Sequence, residues 1–389
     1  MSKYMYNKNL VYIASCIGMA FFGIAFIVMG SVLPSLTEKY SLDTVGASSL
    51  VTFLPVGVLL GSLIFGPVVD RFGYKILLIV STFITILGIE GLSLSDDLSI
   101  LRGCIFFIGL GGGMLNGSTN ALASDVSDDH NRSSRLSILG VSYGVGALII
   151  PFLLGVLSKD YSYEIILQWT GIFMLLCVAY FVAVRFPEPK FKQGFPVKQA
   201  ASLLKQPVLL ILSFFLFFQS GMEGLFNNWT TSYLKATTSI EEGDIVLTLT
   251  FFVLGMTLAR LFLSYVFKKV KQIHVLSGAM TISLVGIALL NWSTTFPVVT
   301  LGLFLIGFGL SAGFPVAIGL IGSAYKETSG TAIGIALFIA LGGNSILNYA
   351  MGYISRTFDI NSFPVFLAIL LAIQFIIVFT NPKIINNKN

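Results

Sequence analysis

Apolar positions in this chain do not alternate with polar ones at the spacing of a half-buried helix or strand. They run on unbroken for about 20 residues at a time. That is the length a helix needs to cross a ~30 Å hydrocarbon core. Twelve such runs follow one another, at about 10–34, 45–69, 74–94, 98–124, 134–157, 164–185, 207–234, 243–267, 272–292, 297–324, 329–355 and 362–380. Each is predicted to be a transmembrane helix, because a backbone in lipid has to satisfy its own N–H and C=O groups. The first run follows Lys3 and Lys8 and is too long for the core of a signal peptide, so it reads as a retained first helix.

The polar breaks between runs carry the topology. With the N-terminus placed in the cytoplasm, seventeen of the 23 Lys and Arg residues fall on that side, among them Arg71, Lys75, Arg132, Arg135, Lys190, Lys268, Lys269 and Lys271. Lys39, Arg102, Lys159, Lys235 and Arg356 fall on the other, and Arg260 stays within a run. This bias predicts a multi-pass protein of the cell (inner or plasma) membrane with both termini in the cytoplasm. The longest break, 186–206, opens with Pro187-Glu188-Pro189 and divides the runs six and six. The predicted organisation is an N-terminal half 1–185, a cytoplasmic linker 186–206 and a C-terminal half 207–389. Glycines repeat across the division at one offset of 198 residues: Gly57 and Gly255, Gly109 and Gly307, Gly111 and Gly309, Gly144 and Gly342. The expected fold is therefore all-α, with twelve transmembrane helices in two pseudo-symmetric six-helix bundles.

Composition sharpens this and excludes other classes. The chain has 389 residues, 55% apolar and only 11% charged, with a mean hydropathy of +0.89. Soluble proteins carry about 25% charged residues. The net charge of +5 is explained by topology, so nucleic acid is not an expected partner. Cys16, Cys104 and Cys177 all lie inside apolar runs, and there are two His, which argues against a disulfide framework or a metal site. No phosphate-binding loop and no nucleophile–base pair are seen, so neither an enzyme nor a bound cofactor is expected. Energy for any transport would come from a gradient.

Between the second and third runs stands Gly66-Pro-Val-Val-Asp70-Arg71-Phe-Gly73-Tyr74-Lys75. It resembles the major facilitator signature Gly-x3-Asp-Arg-x-Gly-Arg-Lys, with Tyr74 in place of an Arg. The resemblance implies a latch on the cytoplasmic side, formed by Asp70 and Arg71 and joined by Asp125, Arg132 and Arg135. The matching stretch after the eighth run, Ser264-Tyr-Val-Phe-Lys268-Lys269, has no Asp, so no equivalent latch is expected there. The family also implies a monomer embedded in lipid.

Finer features resemble the fucose/glucose/galactose branch of that superfamily. They are the run from Gly109 to Asn120, Arg135-Leu136, Pro151 to Gly155, Gly221-Met-Glu223 with Asn228-Trp229 and Tyr233, Phe314-Pro315, and Gly342-Gly343 through Gly352. Two positions depart. Between Gly23 and Pro34, where the proton-coupled fucose symporters carry an Asp, this chain has Gly30. Where they carry a Glu four residues before Asn-Pro, it has Asn116, and Asn120 is followed by Ala121. The branch implies a sugar as substrate, but its proton mechanism does not carry over directly.

Few ionisable groups remain inside the runs: Glu90, Glu223 and Arg260. Intramembrane charge is costly and is usually paired or functional. Glu223 is the candidate for coupling to a proton or sodium, and equally a candidate partner of Arg260. Around it the polar residues fall at helical spacing. Gln219, Glu223 and Asn227 form an i, i+4, i+8 line, and Asn116 with Asn120 and Asn344 with Asn348 form i, i+4 pairs. With Asn228 and Trp229 these supply amides and an aromatic face, the groups a sugar needs, near the midplane between two halves. Such pairs also serve as interhelical hydrogen bonds. The leading expectation is a secondary active transporter, a symporter for a small hydrophilic solute such as a monosaccharide, working by alternating access. The alternative is an exporter of drugs or amphipathic metabolites, for which 34 Phe would suit a greasy cavity.

Overall fold

A computed structural model describes residues 6–42, 44–157, 160–190 and 202–385. Of the 186–206 linker, residues 191–201 with Lys192 and Lys198 lie outside the described residues, as do Lys3, Lys159 and Lys388. Every described element is helical. The α-helices, in chain order, are α1 Lys8–Lys39, α2 Thr44–Phe72, α3 Tyr74–Leu94, α4 Leu98–Asp125, α5 Arg132–Leu157, α6 Tyr163–Ala183, α7 Pro207–Thr237, α8 Glu242–Val266, α9 Gln272–Trp292, α10 Phe296–Leu310, α11 Gly313–Ala324, α12 Ser329–Phe358, α13 Phe363–Thr380 and the short α14 Pro382–Ile385; 3-10 turns stand at Lys326–Thr328 and Ile360–Ser362. Among the described residues, twelve spans are long and apolar enough to cross a membrane, with α10 and α11 together making the tenth.

The helix ends follow from local chemistry. The Asn7 side chain caps α1 by accepting from the backbone N–H groups of Asn9 and Leu10. Asp97 does the same for α4. Gly73 breaks the chain between α2 and α3 at φ +84°, a conformation that side chains disfavour. The tenth span, predicted as one helix, is interrupted at Ser311–Ala312. Pro315 has no N–H for the Ser311 carbonyl, and its ring crowds that turn.

Outward faces carry large apolar side chains: Trp292 is 88% exposed and Leu176 70%. These are surfaces for lipid. Many inward hydroxyls satisfy themselves on the preceding turn, as Ser81 does on the Leu77 carbonyl, Thr82 on Leu78 and Thr119 on Leu115.

The chain forms two compact units. One comprises Met1–Asp128, Leu139–Ala201 and Tyr325–Ile335; the other comprises Asp129–Ile138, Ser202–Ala324 and Ala336–Asn389. In the first, α4 packs on α2, α3 and α1. In the second, α10 packs on α8 and α9, and α11 on α7. The internal repeat extends to individual contacts. A Cβ at Gly57 would strike the Phe106 carbonyl oxygen, and one at Gly255 the Phe304 carbonyl oxygen, 198 residues on. Gly109 lies against the carbonyl of Leu54 and Gly307 against that of Phe252. Gly111 meets Ser81 and Thr85, and Gly309 meets Ala279 and Ser283, again 198 residues on. Gly342, of the fourth pair, has open space around it. Without a hydrophobic force between helices in lipid, such backbone contacts hold the bundle together.

Candidate functional site

Five polar groups can be built from the helices upward. The first lies at the α2–α3 turn in the first unit. Gly66 lets α2 touch the start of α12, where a Cβ would stand 2.7 Å from the Thr331 Cα. One turn later Asp70, 1% exposed, accepts at Oδ2 from the Thr331 backbone N–H (3.0 Å) and hydroxyl (2.7 Å). Asp125, at the end of α4, accepts from the Tyr74 hydroxyl (2.5 Å) and the Ser329 hydroxyl (2.7 Å), and pairs with Lys190 at 2.7 Å. Two carboxylates thus face the positive end of α12, whose own first turn has no acid. Arg71 is exposed, its guanidinium 5.0 Å from the Phe72 ring centroid. Of the five residues predicted for the latch, Asp70 and Asp125 share this cluster. Tyr74, Lys190, Ser329 and Thr331 complete it.

Arg132 belongs to the second unit, where it bonds Asp129 and Ser323. Beside it Ser134 and Ser137 donate to the carbonyls of Ser264 and Arg260 on α8, and Gln272 donates to Ser133. The stretch at the end of α8, Ser264 to Lys269, has no Asp, so no latch is expected at this place. Between α5 and α8, serine hydroxyls make the bonds instead, without charge.

The amide pair of the first unit lies in α4. Asn120 Nδ2 donates to the backbone oxygen (2.9 Å) and the Oδ1 (3.0 Å) of Asn116, and both side chains are half-buried. The pair in α12, in the second unit, repeats this geometry. Asn348 Nδ2 donates to the Asn344 backbone oxygen (2.8 Å) and Oδ1 (3.0 Å). Its Oδ1 accepts from Asn228 Nδ2 (3.0 Å) and Trp229 Nε1 (3.1 Å), and the indole rests on Gly352. Four predicted residues therefore meet in one cluster: Asn228, Trp229, Asn344 and Asn348.

Gln219 and Glu223 form a separate group. Gln219 Nε2 donates to Glu223 Oε1 (2.8 Å) and to the Leu310 carbonyl (2.7 Å), which the break in the tenth span leaves without a helical donor. Gln374, fully buried in α13, donates to Gln219 Oε1 and to the Phe215 carbonyl. Asn227 is exposed and donates to the Glu223 backbone oxygen. Sequence reasoning missed Gln374, although an amide at that place in an otherwise apolar α13 was a readable signal. Of the branch departures, Gly30 has open space where a side chain would point.

The latch that the signature implies can be tested directly. In Asp70→Asn the charge-assisted bonds to Thr331 become neutral ones of about half the strength, and the attraction to the α12 dipole is lost. The expected result is an approximately tenfold shift toward the state open at the α2–α3 end. Labelling of engineered cysteines from each side would report it, and unchanged labelling from both sides would count against the latch.

Comparison with known proteins bears on the family and the fold. The profile described as Major Facilitator Superfamily matches residues 15–339 and 221–385. The glucose/mannose transporter of Bacillus subtilis is 23% identical over 357 residues, covering 86% of each chain. The fold is similar to that of the E. coli fucose:proton symporter, with TM-score 0.80 and 16% identity over 97% of this chain and 98% of that one. It is also similar to a proton:xylose symporter, with TM-score 0.77 and 13% identity over 96% and 95% of the two chains. With twelve membrane-spanning helices, an internal six-helix repeat and a family match over most of its length, the chain belongs to the major facilitator superfamily and is a membrane transporter of that family.

Proposed function

We propose that the chain is a secondary active transporter of a small hydrophilic solute, a monosaccharide, moved by alternating access and coupled to a proton or sodium gradient. The observation that carries the reading is the repeated asparagine pair, one in each unit, bonded in the same way at half-buried positions within membrane spans. Amides offer the donors and acceptors that sugar hydroxyls require, and Trp229 beside the second pair offers an apolar ring face. A drug exporter would have little use for so many amides. The glucose/mannose transporter among the relatives supports the sugar class. On this reading the end bearing Asp70 and Lys190 faces the cytoplasm, as the positive-charge bias predicts.

The test is uptake of a labelled monosaccharide panel into proteoliposomes with imposed proton or sodium gradients. Absence of gradient-driven uptake of every sugar would sink the reading. Asn120→Ala and Asn344→Ala should each weaken apparent affinity about tenfold, the worth of roughly one hydrogen bond of 1–1.5 kcal/mol. Thermal stability in detergent should change little. Unaltered affinity in both variants would make these faces packing contacts and move the site elsewhere.

A further inference from the structure

The cluster at the α2–α3 turn contains two acids and one ammonium group, and the ammonium does not come from the signature motif. Lys190 lies beyond the end of α6, on the segment Pro187-Glu188-Pro189-Lys190. A lysine has three N–H donors, and three acceptors surround this one: Asp125 Oδ2 at 2.7 Å, the Lys326 carbonyl at 2.8 Å and the Ser329 hydroxyl at 2.5 Å. Ser329 in turn donates to Asp125 Oδ1, which closes a ring of bonds between α4, the α6 extension and the start of α12. The same segment is seated by Pro189, which packs on the Gly73 turn, where a Cβ would stand 3.1 Å from the proline ring. Lys190 and Asp125 are 22% and 14% exposed, so solvent screens the pair only in part.

The signature carries an Arg where this chain has Tyr74. A phenol gives Asp125 one hydrogen bond and no charge. Asp70 and Asp125 repel each other, and the charge of Lys190 acts on both. Like charges sharing a site destabilise it unless an opposite charge is held nearby. We propose that Lys190 supplies the counter-charge that Tyr74 cannot, which makes the segment following α6 a working part of the latch. Lys190 is a positioning residue: it holds Asp125 against Ser329 and moderates the repulsion on Asp70. Any movement of the segment that withdraws Lys190 leaves two acids facing one helix start and releases α12.

The proposal rests on alternating access but not on the identity of the solute. Its test uses the full-length protein without Cys16, Cys104 and Cys177, bearing one reporter cysteine at each end of the bundle. Lys190→Gln should raise labelling at the α2–α3 end about fivefold or more. Lys190→Arg should not. Adding Tyr74→Arg to Lys190→Gln restores a cation beside Asp125 and should return labelling to within about twofold of the parent. Parent-like labelling in Lys190→Gln overturns the proposal, and so does a shift that Tyr74→Arg leaves in place. If Lys190→Gln fails to fold, the double variant must fold again, and a second failure also overturns it. A parent protein labelled from one side under every condition would instead overturn alternating access.

Discussion

Gly109→Leu should leave no folded protein, and Gly307→Leu should do the same in the other unit. At Gly109 the backbone of α4 touches the Leu54 carbonyl and the Gly57 Cα of α2; at Gly307, α10 touches the Phe252 carbonyl of α8. Overpacking a core by a few methylenes costs about 1–3 kcal/mol when side chains can shift. Here the obstacle is main chain, so whole helices must separate along their length. The separation forfeits the contacts made by the neighbouring glycines, Gly57, Gly61 and Gly113, as well. A domain holds only about 5–15 kcal/mol in total, and lipid offers no hydrophobic compensation for a looser seam. The expected result is loss of the monodisperse peak in detergent chromatography for both variants. Gly278→Leu, where nothing stands within 4 Å, should behave as the parent. A folded, transporting Gly109→Leu protein would show that the α2–α4 seam is not what holds the first unit together.

Glu223→Gln carries the second large expected effect, on transport. The substitution keeps a carbonyl oxygen for the Gln219 N–H, so the bond that fastens α7 to the broken tenth span can survive. What disappears is the charge and the ability to take up and release a proton. If Glu223 couples the gradient to the solute, accumulation should fall about tenfold or more, the equivalent of about 1.4 kcal/mol of lost driving force. Exchange of solute across the membrane at equal concentrations should persist. If Glu223 binds solute, both activities should be lost. If its task is to balance the charge of Arg260, melting temperature should drop, and Arg260→Gln added to it should partly restore stability. Accumulation, affinity and pH dependence all equal to the parent would remove Glu223 from the mechanism.

The spans were legible because hydrocarbon thickness sets a length that little else in a sequence imitates. The duplication was legible because glycine at a backbone contact has no substitute, so the repeat survives at Gly57, Gly109 and Gly111 and their counterparts. The interruption of the tenth span was signalled by Pro315 but hidden by the apolar residues around it, since hydropathy does not register a missing N–H. The polar clusters were legible only in part. Asp70 announced itself through its motif. Lys190 had been counted as one positive among many, because its three acceptors are supplied by residues 65 to 139 positions away, as the span from Asp125 to Ser329 shows. The second unit's serine bonds were unreadable for a related reason: a hydroxyl in a span most often turns back on its own helix, as Ser81 does, and nothing local distinguishes Ser134 or Ser137.

The two copies of the glycine seam differ in what surrounds them. Backbone contacts recur at a fixed offset, whereas the first unit has two carboxylates at the start of α12 and the second has serine hydroxyls beside the Arg132–Asp129 pair. Seam and chemistry are therefore under different physical constraints. A close contact between main chains admits no intermediate step, so neither copy could drift there. Polar groups at helix ends can be exchanged one at a time, so each copy was free to specialise. Directed evolution of this transporter should accordingly find its useful variation at the polar ends and the asparagine-bearing faces, and almost none along the glycine rows.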